Sequence, residues 1–226
     1  MLGEPRLELE ADRLSARQVE AQQLATIGRH TVMLTHVAMT IAGRPRLALF
    51  GGMTKARSPD LIAAQSEDAE RLASLSRTAK LSYRDWAQPN WEPPSLADEQ
   101  VRWERRLVDP AGWTLIASDS GAALGTIHFT EARRRRGEGA AIAGRAHLSG
   151  LVVLPASWGA GIGSALLDAA LAEMQSRGYR EAQLFTAVAN RRSRIFYERR
   201  GWRATATNTH HHDELWLAAY ERSLPG

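Results

Sequence analysis

Three glycines at alternate positions are the first residues of this 226-residue chain whose type and spacing could do chemistry. Leu151-Val-Val-Leu-Pro155 leads into Ala-Ser-Trp-Gly-Ala-Gly-Ile-Gly163, so Gly159, Gly161 and Gly163 stand where a strand turns into a helix. Lacking Cβ atoms, such a turn adopts positive φ and lets a ligand approach the backbone closely. The free amides at the helix start carry partial positive charge, and together they make an anion site suited to a pyrophosphate. No Lys-Ser/Thr pair follows, so this is not a nucleoside-triphosphate loop. The turn falls late in the chain with no acidic residue at the ribose position, which argues against a dinucleotide fold. Taken alone, a tight turn without a ligand remains an open reading.

Two other clusters carry polar chemistry. His210-His-His212-Asp-Glu214 offers metal-ligating side chains. Strand neighbours alternate faces, so three adjacent histidines do not converge on one ion, and no metal is expected. Arg133–Arg136 is a charge run read as a solvated loop, with contact to an acidic substrate or a cofactor phosphate as the alternative.

The elements that must position these residues follow from local signals. Asp60–Gln65 is a candidate strand, and Ser66 with Glu67 and Asp68 is a helix start running to Ser82. Ser95-x-x-Asp98 resembles a capping box opening a helix to Val108. Asp109–Gly112 is a turn, and Trp113–Ser118 and Ala123–Thr130 are strands around a turn at Asp119–Gly121. Arg133–Gly144 reads as a loop, and Arg145–Leu154 as a strand. Gly163–Arg177 is a helix stopped by Gly178, and Glu181–Val188 is a strand. Asn190 caps a helix ended by Gly201, and a final hairpin, Trp202–Thr209 and Leu215–Arg222, turns at His210–Glu214. Seven strands and four helices in this order predict a mixed α/β (α+β) domain, a central sheet flanked by helices.

Residues 1–58 differ. Leu7, Leu14, Val19, Leu24 and Ile27 mark only a weak helical face, and Gly43, Pro45, Gly51 and Gly52 punctuate without building an element. A poorly ordered or weakly helical extension is expected over 1–58, with the folded domain at 59–226. A start of translation at Met53 and a partner-binding arm are alternatives.

The second block is Asn190-Arg-Arg-Ser-Arg-Ile-Phe196-Tyr197-Glu198-Arg-Arg-Gly201-Trp202. It and the glycine turn, separated by one helix and one strand, together resemble the GNAT superfamily of acyl-CoA N-acyltransferases over about residues 60–222. The resemblance implies a mostly antiparallel, twisted sheet and acetyl-CoA as cosubstrate. It places the cofactor along Leu151, Val152 and Val153. It also places it on Trp158, Gly159, Ala160, Gly161, Ile162, Gly163 and Ser164, and beside Asn190, Phe196 and Tyr197. Trp158 departs from the Arg or Gln that opens the family's motif, while the amides that depend on the glycines are kept. Asn190 is equally a plain helix cap. Tyr197 would protonate the departing thiolate, since a phenol stays protonated at neutral pH. Where relatives often carry a carboxylate base, counting back from the motif reaches His147, which titrates near neutrality. His128 and Glu131 are alternatives, and Trp86, Trp91 and Trp103 fall where relatives line the acceptor pocket, as an aromatic wall or equally as core packing of the helix pair. The implied activity is direct acetyl transfer to a primary amine in a ternary complex, by a monomer or homodimer. Trp158 and the missing carboxylate leave a catalytically silent acyl-CoA sensor as the alternative.

Composition trims the remaining classes. There is no cysteine, so disulfides, thiolate zinc sites and a cysteinyl acyl-enzyme are excluded. The net charge of +4 is concentrated in residues 1–58, where 8 Lys and Arg face 5 Asp and Glu. A nucleic-acid partner, which needs a basic face on the folded module, is therefore not expected. No apolar run approaches the roughly 20 residues of a membrane span, and a cytoplasmic protein is expected.

Overall fold

The computed structural model describes residues 59–134 and 139–225, with backbone alone for 206–211. The expectations for residues 1–58, and for Arg135 and Arg136, lie outside the described residues. Seven strands form one sheet: β1 (Asp60–Ala63), β2 (Trp113–Asp119), β3 (Ala122–Arg133), β4 (Ala141–Val153), β5 (Glu181–Ala187), β6 (Arg203–His212) and β7 (Leu215–Ser223). Their order is β1-β2-β3-β4-β5-β7-β6. Every pairing is antiparallel except β4 with β5. Four helices flank the sheet: α1 (Ala69–Lys80), α2 (Leu96–Leu107), α3 (Ile162–Ser176) and α4 (Arg191–Glu198). Among the described residues no helix is long and apolar enough to cross a membrane.

Alternation along the strands divides the core between two faces. Leu115, Ala117, Ile127 and Phe129 pack with Leu166, Leu167 and Met174 of α3, whereas Ile116 packs with Leu72, Leu75 and Trp103 of α1 and α2. Several expected caps are present. Ser95 Oγ accepts from the Asp98 amide at 3.1 Å, although the Asp98 carboxylate accepts the Ser95 hydroxyl instead of reaching back to its amide. After α3, the Tyr179 amide donates to Met174 O and the Gly178 amide to Gln175 O, the paired bonds of a left-handed helix stop.

Four boundaries differ from the sequence reading. The first helical turn is capped by Gln65, not Ser66, because the Asp68 carboxylate accepts the Gln65 amide at 2.9 Å. That turn is a 3-10 segment, Ser66–Asp68, and a second one, Leu81–Asp85, follows α1. The expected loop at 133–144 is strand at its two ends, since β3 runs to Arg133, β4 starts at Ala141, and those two residues pair. The last hairpin turns on two residues only, because Asp213 and Glu214 both take positive φ, 46° and 62°. A bidentate ion pair holds that turn: Arg102 donates to both Asp213 oxygens at 2.7 Å.

Candidate active site

The cleft begins with one surplus residue. His128 pairs with Gly150 and Phe129 with Leu148, so Ser149 bulges out of β4. A bulge bends its strand and breaks the ladder locally. Beyond it the parallel pairing to β5 stops, its last pair being Leu148 with Leu184, while β5 stays on β7 as far as Ala187. Ser149–Val153 therefore keep β3 on one side and have a free edge on the other. The Leu154 amide donates to Leu124 O on the β3 side. By strand alternation, the peptide groups of Leu151 and Val153 face the free edge. Leu151 and Val153 pack their side chains against the α3 core, as Ala146 and Leu148 do before the bulge.

Two cavities open onto this edge. A groove of about 600 Å³ runs from Val153 along the glycine turn to α4. A chamber of about 690 Å³ lies between β4, β5 and the α1–α2 pair. They share Tyr83, Leu151, Val152, Asn190, Ser193 and Tyr197, which form the passage between them.

In the groove, Gly159 and Gly161 hold φ of 85° and 82°, and Gly161 is the N-cap of α3. Gly163 is helical, and a Cβ there would meet only ordinary contacts, Phe196 at 3.6 Å and Val153 at 3.7 Å. Positive φ is thus required at the first two glycines and not the third. Among the described residues the amides of 159–163 take no backbone partner. Arg191, Arg192 and Arg200 line the same groove, and Asp85 is the one carboxylate among its described lining. Arg200 lies 3.9 Å over the Phe196 ring and donates to Ser164 Oγ. The Trp158 indole N–H donates to Val153 O at 2.9 Å, and the Arg192 guanidinium sits 4.1 Å over that ring. A cation thus stands near the position that the family's motif gives to Arg or Gln. Every cofactor residue expected from the sequence lines the groove except Ala160.

At the passage, Tyr197 is buried, and burial first, then neighbouring Tyr83, raises its pKa far above the ordinary phenol. Burial and then Glu99 push Tyr83 up to about 12. Both phenols are protonated at neutral pH. Asn190 Oδ1 accepts from the Ser193 amide at 3.0 Å, so the cap and the passage use one residue.

The chamber holds His147 and charged groups that sequence reasoning did not single out. Lys80 donates to Glu99 at 2.5 Å, Arg102 grips Asp213, and Trp91 donates its indole N–H to Asp213 O. Burial, then Arg106, lowers His147 to about 4, so its imidazole is neutral. Glu131 lines the chamber but is paired with Arg133. His128, the other alternative base, is a core residue. It is 1% exposed, bonded to Thr114 Oγ1 at 2.9 Å, and lowered to about 3 by burial and then Arg106. The three tryptophans do not form one wall. Trp91 lines the chamber, Trp86 the groove, and Trp103 is core with its N–H on Ser76. His212 is exposed, 3.7 Å from Asp213, and the side chains of His210 and His211 lie outside the described residues. The doubled arginines Arg191-Arg192, which open α4, and Arg199-Arg200, which follow it, were a visible sign of a cationic groove. Nothing local marked Tyr83, Lys80, Glu99, Arg102 or Arg106, which converge only in the folded chain.

The sequence model of the Acetyltransferase (GNAT) family matches residues 80–202, spanning α2, the glycine turn and the Asn190–Trp202 block. A mycothiol acetyltransferase of Propionibacterium freudenreichii is 28% identical over 144 residues, 64% of this chain and 43% of that protein. Another, of Pseudarthrobacter chlorophenolicus, is 34% identical over 106 residues, 47% of this chain and 32% of its own. The chain thus spans less than half the length of these curated relatives. In fold it is similar to the PaiA N-acetyltransferase of Thermoplasma acidophilum, solved in complex with coenzyme A. That match has a TM-score of 0.57 and 20% identity, over 74% of this chain and 99% of that one. An acetyltransferase of Thermus thermophilus gives 0.59 and 21%, over 75% and 99%. With the family match extending over more than half of the chain, this protein belongs to the GNAT acetyltransferase family.

Proposed function

We propose that residues 59–226 transfer an acetyl group from acetyl-CoA to a primary amine by direct attack in a ternary complex. The observation that carries this reading is the passage at Tyr83, Leu151, Val152 and Tyr197, where a cationic groove and a polar chamber meet. A groove with free amides, two positive-φ glycines and three arginines fits the pyrophosphate of coenzyme A. The free edge at Leu151–Val153 fits the amides of the pantetheine arm, as an added strand would. The Val153 carbonyl is the exception, since the Trp158 indole occupies it. Bound acetyl-CoA supplies the thioester whose acyl carbon the amine attacks.

The chain's own groups do the rest. The chamber presents the amine to the passage, and that positioning supplies much of the rate. The free-edge amide of Val153 or a neighbour steadies the carbonyl oxygen as it gains charge. Nitrogen bonds to carbon, the carbon–sulfur bond breaks, and the Tyr197 hydroxyl gives its proton to sulfur. His147 is the group we assign to accept the amine's proton. Its conjugate acid is too strong to keep that proton, which passes on to water.

Thiol release from acetyl-CoA tests the reading across a panel of amines, amino acids and peptides. The curated relatives are named for mycothiol, so a mycothiol-type acceptor belongs in that panel. With no cysteine the protein adds no background. Turnover that collapses in Tyr197→Phe while coenzyme A still binds is the expected result. Failure to bind coenzyme A would overturn it, and binding without turnover for every acceptor would favour the silent sensor.

A further inference from the structure

Arg106 is a chamber cation without an ionic partner. It leaves the last turn of α2, its guanidinium lies 4.8 Å over the Trp103 ring, and Nη2 donates to Ser149 O at a long 3.3 Å. Burial lowers its pKa, as it does for a charge removed from water. Among the described residues it forms no ion pair, whereas the other chamber cations, Lys80, Arg102 and Arg133, each have one. The chamber carboxylates are likewise engaged elsewhere. Glu99 is held by Lys80, Asp213 by Arg102 and Glu131 by Arg133, and Asp109 accepts from Thr130 and the Ala111 amide.

Two more polar groups with unmet bonds lie on the same stretch of β4. Ser149 Oγ and His147 Nδ1 are buried without a hydrogen-bond partner, and both residues line the chamber. A guanidinium offers five donors in a planar fork suited to a carboxylate. Burying it unpaired costs free energy that a bound anion recovers.

Position limits what the anion can belong to. A Cβ at Gly150 would lie 3.7 Å from Arg106 Nη1, so the fork rests against the bulge at Ser149 and Gly150. Leu151 and Val152, at the passage, are the next two residues. That separation is roughly 7 Å of strand. It accommodates an Arg–carboxylate hydrogen bond plus the few bonds joining a carboxylate to an amine in one small molecule.

We propose that the amine acceptor also carries a carboxylate, as a small amino acid does, and that Arg106 with Ser149 anchors it so that the amine reaches the passage. This rests on the amine-acetylation reading above. The test compares free amino acids with their carboxamides and decarboxylated amines in the thiol-release assay, for the wild type, Arg106→Gln and Arg106→Lys. A charge-assisted fork predicts kcat/KM on the order of 10- to 100-fold higher for the acid than for its amide. The preference falls towards unity in Arg106→Gln through KM and is intermediate in Arg106→Lys. Because both ligands meet the same variant, partial unfolding lowers both rates and leaves the ratio interpretable. Calorimetry with N-acetyl amino acids and their amides, in the presence of coenzyme A, reads the same ratio without turnover. Equal rates or affinities for acid and amide in the wild type, or a ratio unchanged in Arg106→Gln, would overturn the proposal. Turnover of neutral amines alone would do so while leaving the acetyl-transfer reading standing; loss of coenzyme A binding would remove that reading first.

Discussion

Acidification from about pH 7 to pH 5 should destabilise this fold by about 2 kcal/mol at each of two histidines. The folded values are about 3 for His128 and about 4 for His147. An unfolded histidine titrates near 6.5. Both folded values are depressed, so the unfolded chain takes up protons first. Stability is complete above roughly pH 7, declines as pH falls below 6.5, and keeps declining until each folded imidazole titrates. His128 is core, bonded to Thr114, edge-on to Trp103, and near Arg106, Asp109 and His147. His147 lies beside Arg106, Gln183 and Phe185, and lines the chamber, so solvent trims its share. Urea midpoints at the two pH values, for wild type, His128→Gln and His147→Gln, check this. The readout is the loss between pH values, which packing damage common to both leaves unchanged. The two histidines should together account for at most about 4 kcal/mol of the wild-type loss, His147 for the smaller share, and each variant should be spared the share of the residue it lacks. Imidazole proton resonances of both residues should stay at their neutral positions down to pH 5. Equal pH losses in wild type and variants, or either ring titrating near 6.5, would refute the reasoning.

Four further outcomes are expected, besides the acid preference assigned to Arg106. Tyr197→Phe should lower kcat by on the order of 10²- to 10⁴-fold, with the Kd for coenzyme A unchanged in a fluorescence titration. No alkaline loss from phenol ionisation should show below pH 10, because Tyr83 is pushed to about 12 and Tyr197 is raised further. Gly161→Ala meets no atom within 4 Å but must hold φ of 82°. That strain of about 1–2 kcal/mol should weaken coenzyme A binding or thermal stability, whereas Gly163→Ala, at a helical φ, should change either little. Trp158→Phe removes the hydrogen bond to Val153 O but keeps a ring under Arg192. It should alter the KM for acetyl-CoA by less than about tenfold and leave kcat within a factor of two.

What the sequence made legible was what local chemistry decides. The glycine turn, Ser95, Gly178 and Asn190 act within a few residues of themselves, and each stands where its type predicts. The strand ends at Arg133 and His212 were missed because polar residues extend those strands through pairing with a neighbour, and the start at Ala141 because Gly144 punctuates the run that β4 opens on. His128 and His147 look alike in sequence, yet one is core and the other lines the chamber, because distant packing decides. Arg102 and Asp213 lie 111 positions apart and meet in one ion pair. Arg106 was just one arginine of a charged helix until Ser149 and Trp103 were placed around it.

One inserted residue ties these observations together. A strand that alternates without interruption would carry Ala146 and Leu148 inward and Leu151 and Val153 outward. All four pack on the α3 side, so parity has shifted by one at Ser149. The apolar run Leu151–Leu154 concealed that shift, since every residue in it suits a buried face. The shift bends β4 away from β5 and frees the Leu151–Val153 edge. It also leaves Ser149 O exposed to Arg106 and its hydroxyl unpartnered. The edge proposed to hold the cofactor and the fork proposed to hold the acceptor's carboxylate therefore share one origin. Their spacing, two residues of strand, is built into the backbone. Acceptor size is accordingly a property of the bulge, and acceptor charge a property of the one arginine that reaches it.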